Sequence, residues 1–291
     1  DINNGNFFIN PENGDVLICD NDNVSPYGTN LGILGKQRYM APEVVTGKCD
    51  PDKQSDRFSL AVILFRLLFI NHPLEGKRST PPCMTKELEK RYYGEEPIFV
   101  YDPNDDRNRP IPGTDKNLRI FWPVYPQYVR SLFEKAFSND VMMQKAPRVM
   151  EKEWLDMFFK LKASIVRCPY CKEETFLIQQ GDNTCMECRN KISVPNAIQF
   201  STVTLPLYPG TRLMLWHADS SQNDIEALLG IVVRNPKNPN IFGIRNTSGI
   251  SWKVNLPSGN QKPLPSGEVV PIKKDFIIEC TNDAKEAGKI I

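Results

Sequence analysis

Four cysteines fall in two close pairs, Cys168-Pro169-Tyr170-Cys171 and Cys185-Met186-Glu187-Cys188, with thirteen residues between the pairs. Two C-x2-C knuckles at this spacing present four thiolates to one tetrahedral structural Zn2+, and a closed four-Cys set leaves no open position for catalysis. A redox dithiol or two disulfides are the other readings. A redox pair belongs in a thioredoxin-like βαβ setting, and the flanking sequence has none. Cys19, Cys49, Cys83 and Cys280 lack paired spacing and read as core or surface thiols. Cysteines used in this way, instead of spread through a short chain, fit a reducing compartment, and the expected localisation is cytoplasmic.

A second set of residues offers oxygen. Asp1-Ile2-Asn3-Asn4-Gly5-Asn6 sets a carboxylate and an amide five positions apart, and Asp20 follows fourteen residues after Asn6. Phosphoryl transfer asks for a carboxylate to take a hydroxyl proton and for oxygen ligands around a hard cation such as Mg2+. Taken alone, an Asn- and Asp-rich start is a solvated turn, and Asp20 through Asn23 is a loop. Arg38-Tyr39-Met40-Ala41-Pro42-Glu43 and then Ser55-Asp56-Arg57-Phe58-Ser59-Leu60 follow in order. The two histidines, His72 and His217, stand alone and are assigned no chemistry.

In this order and spacing, residues 1–162 resemble the C-terminal lobe of bacterial eukaryotic-like Ser/Thr protein kinases. Asp1 and Asn6 match the catalytic-loop pattern D-x-x-x-x-N, Asp20 the Asp of D-F-G, and Ala41-Pro42-Glu43 the A-P-E motif. Asp56 matches the acid heading the large central helix of that lobe, and Ala146-Pro147-Arg148 the late Arg position. The resemblance implies that Asp1 is the catalytic carboxylate and that Asn6 and Asp20 hold Mg2+ and ATP. It also implies a buried ion pair between Glu43 and Arg148, and a protein Ser/Thr hydroxyl as acceptor. The sequence departs from the family at Asp20-Asn21-Asp22, which lacks Phe and Gly. It departs again at Asn3, where the family carries Lys, and at Lys36, where it carries Thr. The Gly-rich loop, strand Lys and helix Glu of the family belong to an N-terminal lobe that this sequence does not include, so the chain alone is expected to be inactive. A pseudokinase scaffold, binding signalling partners through its other domains, is the competing expectation. Between Asp20 and Glu43 lies a segment of activation-loop length with Ser25, Tyr27 and Thr29, either a polar loop or a place for phosphorylation.

The elements that must position these residues give an α+β multidomain chain. Phe7-Phe8-Ile9 and Val16-Leu17-Ile18 flank a turn signal at residues 10–14 and predict a hairpin. Residues 55–69 predict a buried helix, capped by Ser55 or Asp56, with Leu60, Ile63, Leu64, Leu67 and Leu68 at helical spacing. Residues 77–127 read as an irregular excursion around one helix near Lys86–Tyr93. Helical periodicity returns over 129–137 and 151–161, with Trp154 and Phe158 as core. The expected domains are a mainly α-helical lobe over 1–162, a zinc ribbon over 163–196 and a sandwich-like all-β domain over 197–291. In that last domain, strands are predicted at 231–233, 241–244, 269–272 and 276–279. The stretch Phe242 to Trp252 weakly resembles a forkhead-associated β-sandwich, a fold whose full members bind phosphothreonine; Arg245 and Ser248 are the candidate phosphate contacts. Across 291 residues, 36 Lys and Arg balance 35 Asp and Glu, which argues against a nucleic-acid or acidic-lipid partner. The longest apolar run, residues 60–70, is broken by Arg66 and is too short to span a bilayer.

Overall fold

The computed structural model describes residues 2–20, 24, 26, 29, 32, 34–177, 183–193, 196–219, 221, 224, 226–281 and 287–291. The chain forms two compact units, Asp1–Trp154 and Leu155–Ile291. Among the described residues no helix is long and apolar enough to cross a membrane.

The first unit opens with the expected hairpin. Strands β1 (Phe7–Ile9) and β2 (Val16–Ile18) pair antiparallel, with Phe7 opposite Ile18. Gly14 takes a φ of 78° at the turn, where a Cβ would be strained, and its N–H donates to the Asn10 carbonyl. A two-stranded ribbon has no core of its own, and Phe8, Ile9, Val16, Leu17 and Ile18 are 52–63% exposed.

Behind it, α1 (Pro42–Val45) leads to α2 (Lys53–Phe69), the central helix. Its cap corrects the sequence expectation: Asp52, not Ser55 or Asp56, is the N-cap. The Asp52 side chain accepts from the N–H groups of Gln54 and Ser55, and the Ser55 hydroxyl accepts from the N–H of Asp52. That reciprocal box satisfies donors the first turn would otherwise leave orphaned. The buried stripe is also corrected. Phe58, Ala61, Val62, Phe65 and Phe69 face the core, whereas Leu67 is 53% exposed. Both stripes have helical spacing, but the aromatic one buries more area per position. Phe65 sits at the middle, with the rings of Phe69, Phe99, Trp122, Phe133 and Phe137 at centroid distances of 4.6–6.3 Å.

The excursion after α2 is held by specific polar contacts. Helix α3 (Lys86–Lys90), capped by the Thr85 side chain on the Leu88 N–H, runs on into a π-helical turn over Arg91–Glu95. Gly94 lies in that turn because a Cβ there would stand 2.8 Å from Thr46 Cγ2. Buried Asn108 donates to the carbonyls of Leu74 and Ile98 at 2.9 and 2.7 Å, which satisfies two backbone acceptors on an irregular chain path. Helices α4 (Lys116–Phe121), α5 (Gln127–Ala136) and α6 (Asn139–Met142) follow. Helix α7 (Glu151–Ala163) begins in the first unit and ends in the second. It buries Trp154, Met157 and Leu161, so Met157 takes the core position expected of Phe158, which is only half-buried.

The second unit starts with a hairpin of β3 (Ile165–Arg167) and β4 (Glu174–Phe176). The all-β part has ten strands among the described residues: β5 (Ala197–Gln199), β6 (Thr204–Pro206), β7 (Arg212–Met214), β8 (Leu228–Arg234), β9 (Phe242–Asn246), β10 (Trp252–Asn255), β11 (Gln261–Leu264), β12 (Val269–Pro271), β13 (Ile277–Glu279) and β14 (Gly288–Ile290). A one-turn helix, α8 (Leu215–Ala218), follows β7. Six strands form an antiparallel sheet in the order β11-β10-β13-β14-β5-β6, and four form another in the order β12-β9-β8-β7. Ile198, Leu205, Val254, Ile278 and Ile290 from the first sheet share one core with Leu213, Leu229, Val232, Ile244 and Val270 from the second. That is sheet-on-sheet packing, with alternate residues turned inward.

Candidate functional site

The strongest chemistry gathers at the four cysteines. Their sulfurs all lie within 4.8 Å of one another, a grouping that can hold a metal ion. Cys168 Sγ is 3.7 Å from Cys188 Sγ, and Cys171 Sγ is 3.6 Å from Cys185 Sγ. A disulfide requires about 2.0 Å, whereas four sulfurs at ~2.3 Å from one tetrahedral centre stand roughly 3.8 Å apart. The distances fit a shared cation.

Each pair is presented by the same backbone loop. The N–H of Cys168 donates to Glu173 O at 2.9 Å and that of Lys172 to Cys168 O at 3.0 Å. Seventeen residues on, the N–H of Cys185 donates to Asn190 O at 2.9 Å and that of Arg189 to Cys185 O at 3.1 Å. Lys172 and Arg189, each following the second cysteine of its pair, have φ of 70° and 60°. The first knuckle joins β3 to β4; the second is closed by a bridge between Thr184 and Lys191. Without a cation the four thiols cannot ionise together. The backbone N–H of Asn190, helped by its side-chain amide, brings Cys188 down to about 6. The Glu173 N–H favours the Cys171 thiolate, but desolvation and hydrogen bonds from the three other thiols hold Cys171 at about 12. A divalent cation bound among the four sulfurs would let all of them release their protons. Little else supports the cluster: Cys168, Cys185, Leu177 and Ile192 are its buried residues.

The oxygen-bearing residues lie in the first unit. Asp1, the expected catalytic carboxylate, lies outside the described residues, as do Ser25 and Tyr27. Asn6 ends a turn in which its N–H donates to Asn3 O, while Asn3 Oδ1 accepts from the Gly5 N–H at 2.8 Å. The Cys19 N–H donates to Asn6 O at 2.9 Å, so the hairpin brings Asn6 beside the residue preceding Asp20. Asp20 is exposed and has a φ of 57°. Thr29 donates its hydroxyl to Pro26 O at 2.7 Å.

Glu43 and Arg148 meet as the resemblance implied. Arg148 Nη2 donates to Glu43 Oε2 at 2.7 Å across 105 residues of chain, with side chains only 4% and 6% exposed. Arg148 Nη1 also donates to Gln54 O, and its guanidinium stands 5.5 Å over the Phe58 ring. Asp56, on the first turn of α2, is an exposed residue whose carboxyl is held above the usual range by local desolvation and by the Asp52 carboxylate.

Sequence reasoning missed what holds the segment before Glu43. Buried His72 bonds to Arg38 O through Nε2 at 2.6 Å and accepts the Leu74 N–H on Nδ1 at 3.1 Å, so the ring is neutral with its proton on Nε2. Burial pushes its pKa down to about 4. The Ser59 hydroxyl donates to Tyr39 O, and Glu75 accepts from the Arg38 guanidinium and the Tyr93 hydroxyl. Arg38 thereby keeps a φ of 70°. The signal was the string His72-Pro73-Leu74-Glu75-Gly76, where a Cβ on Gly76 would stand 2.1 Å from Asn108 O.

In the second unit, Arg245 and Ser248 do not converge. Arg245 is exposed on β9, opposite Ile231 on β8 and Val269 on β12. The Ser248 hydroxyl is occupied, donating to Asn246 Oδ1 and accepting from the Trp252 indole N–H. Asn246, buried and bonded to the carbonyls of Ile250 and Leu264, is a structural knot that the sequence did not reveal.

No protein-family model, curated protein or solved structure matches this chain.

Proposed function

We propose that residues 1–162 are the C-terminal lobe of a Ser/Thr protein kinase whose full-length form transfers the ATP γ-phosphoryl group to a protein hydroxyl, followed by a zinc ribbon and a forkhead-associated-like sandwich. The buried Glu43–Arg148 pair carries this reading, because two residues 105 apart, each at a position of a family motif, lie in hydrogen-bond contact. The hairpin supports it further. Asn6 and Asp20 would hold Mg2+ from its two sides, and the exposure of Asp20 suits a cation that keeps several waters. Mg2+ bound there would neutralise phosphate charge. The apolar faces of β1 and β2 fit a second lobe that would cover them and supply the remaining ATP contacts. In the ribbon, four sulfurs without an oxygen donor favour zinc, in a closed site whose part is to hold the fold.

A pseudokinase scaffold is favoured by one feature of the sequence: Asp20-Asn21-Asp22 lacks the Phe and Gly of the family's motif, and with the Gly its backbone freedom. The full-length protein, assayed with labelled Mg-ATP, separates the two. The kinase reading expects phosphoryl transfer that is lost in Asp20→Asn and Asn6→Ala and is not made by residues 1–291 alone. A full-length protein with neither turnover nor Mg2+-dependent nucleotide binding would leave the scaffold.

A further inference from the structure

We propose that the Lys36 ammonium is the cation that meets the phosphoryl group in transit, an inference that rests on the kinase reading above. The turn leading into Asn6 has the side chains Ile2, Asn3, Asn4 and Asn6 and supplies no positive charge of its own. Lys36 brings one from outside. Its Nζ donates to Asn4 Oδ1 at 3.0 Å, across 32 residues of chain. It also stands 5.8 Å from the centroid of the Tyr39 ring, so an amide and an aromatic ring together aim an otherwise floppy side chain. The two family departures at Asn3 and Lys36 meet at one point. A Cβ built on Gly5 would lie 3.1 Å from Asn3 Oδ1 and 3.9 Å from Lys36 Nζ. Asn3 uses its carbonyl oxygen to hold the Gly5 N–H and shape the turn, and Lys36 supplies the charge beside it. The same turn is tied through Asn6 O to the Cys19 N–H, hence to the strand end before Asp20.

Phosphoryl transfer gathers negative charge on the three equatorial oxygens of the moving group, and a cation already held in place stabilises that charge without reorganisation. In the step, the acceptor hydroxyl oxygen bonds to the γ-phosphorus, and the bond from phosphorus to the β–γ bridging oxygen breaks. Its electron pair leaves on ADP. The hydroxyl proton passes to a carboxylate, the role the resemblance gives Asp1, and from there to water. Lys36 takes no part in the proton transfer.

The test uses the full-length protein with Mg-ATP and a mixed Ser/Thr protein substrate, comparing wild type with Lys36→Met, Lys36→Arg and Asn4→Ala. Lys36→Met is expected to lower kcat by about a hundredfold, the usual cost of one charge-stabilising contact, with KM for ATP within about threefold and Tm unchanged. Lys36→Arg, which keeps the charge, should recover a large part of that loss, and Asn4→Ala, which releases the aim, should fall between. Lys36→Met with kcat within about twofold of wild type would overturn the proposal while leaving the kinase reading intact. Equal losses in Lys36→Met and Lys36→Arg that follow a drop in Tm would reduce Lys36 to a tether, and overturn it too. A wild-type protein that neither binds nor turns over Mg-ATP removes the kinase reading itself, and this proposal with it.

Discussion

In the helical unit, Glu43 and Arg148 are fixed by a core in which Phe65 alone touches five aromatic rings; in the ribbon, Leu177 and Ile192 are, among the described residues, the buried apolar side chains that join two of the thiols in the cluster. The first arrangement can lose a polar contact and keep its shape, since burial of large apolar surfaces stabilises it. The second depends on what joins its sulfurs. Residues brought together over long sequence distances need a core, whereas a short segment can be organised by coordination alone.

Removing the metal should break this comparison most visibly. Zinc analysis is expected to find about one equivalent per chain, and a chelator or Cys185→Ser should abolish amide protection over residues 165–177 and 183–192 while the helical unit keeps its own melting transition. Apparent binding free energies of structural zinc sites reach ~10–16 kcal/mol, more than this small cluster can supply otherwise. A ribbon that stays protected without metal, on oxidised cysteine pairs, would contradict the reading.

Next in size is the buried ion pair. Glu43→Ala leaves Arg148 charged and enclosed, at a cost of about 3–5 kcal/mol, and should lower Tm of the helical unit by roughly 10 °C. A double replacement, Glu43→Leu with Arg148→Met, should recover most of that, because an apolar pair of similar volume avoids the stranded charge. If Glu43→Ala melts like wild type, the pair contributes specificity and not stability.

The smallest effect is titration. His72 takes up no second ring proton in the folded state until the pH falls to about 4, against 6.5 for the free side chain. Between those values the unfolded chain binds a proton that the folded chain refuses. Stability from this group is therefore complete above pH 6.5 and declines as the pH drops, by about 2 kcal/mol at pH 5. Denaturant melts at pH 7.5 and 5 should show this decline in wild type and a flatter profile in His72→Gln. His217, in the second unit, is likewise pushed down by burial, to about 3, so both units should lose stability in the same direction.

The elements that were legible in the sequence are those that signal locally. The two knuckles, the β1–β2 hairpin and strands such as β8 and β13 could be read from spacing and turn residues. Helix α2 was legible as a helix but not in its orientation, since two stripes at the same period compete and only the surrounding rings choose between them. The Asp52 cap was missed for a related reason: Ser55 is a good capping residue, and it does take part, but at the third helical position. Asn246 carried no signal, and His72 only that of the His72–Gly76 string it opens. Each satisfies backbone groups from distant segments, and single residues of that kind acquire a role only once the fold has placed their partners. Arg245 and Ser248 were only candidate substitutes for a motif the sequence does not match, and strand geometry leaves one on an exposed face and the other in a turn.

The six-stranded sheet closes by pairing its earliest strand with its latest: Ile198 in β5 lies opposite Ile290 in β14, 92 residues further along the chain. A ribosome making this protein would release the helical unit and then the ribbon while β5 still waited for a neighbour on that side. The entropy of bringing such distant segments together must be met before any of their contacts form. Domains dominated by non-local pairing fold in milliseconds to seconds, not microseconds. During that interval Ile198, Leu205 and the facing residues of the other sheet would lie open, which makes synthesis of the last strand the moment at which this chain is most exposed to aggregation.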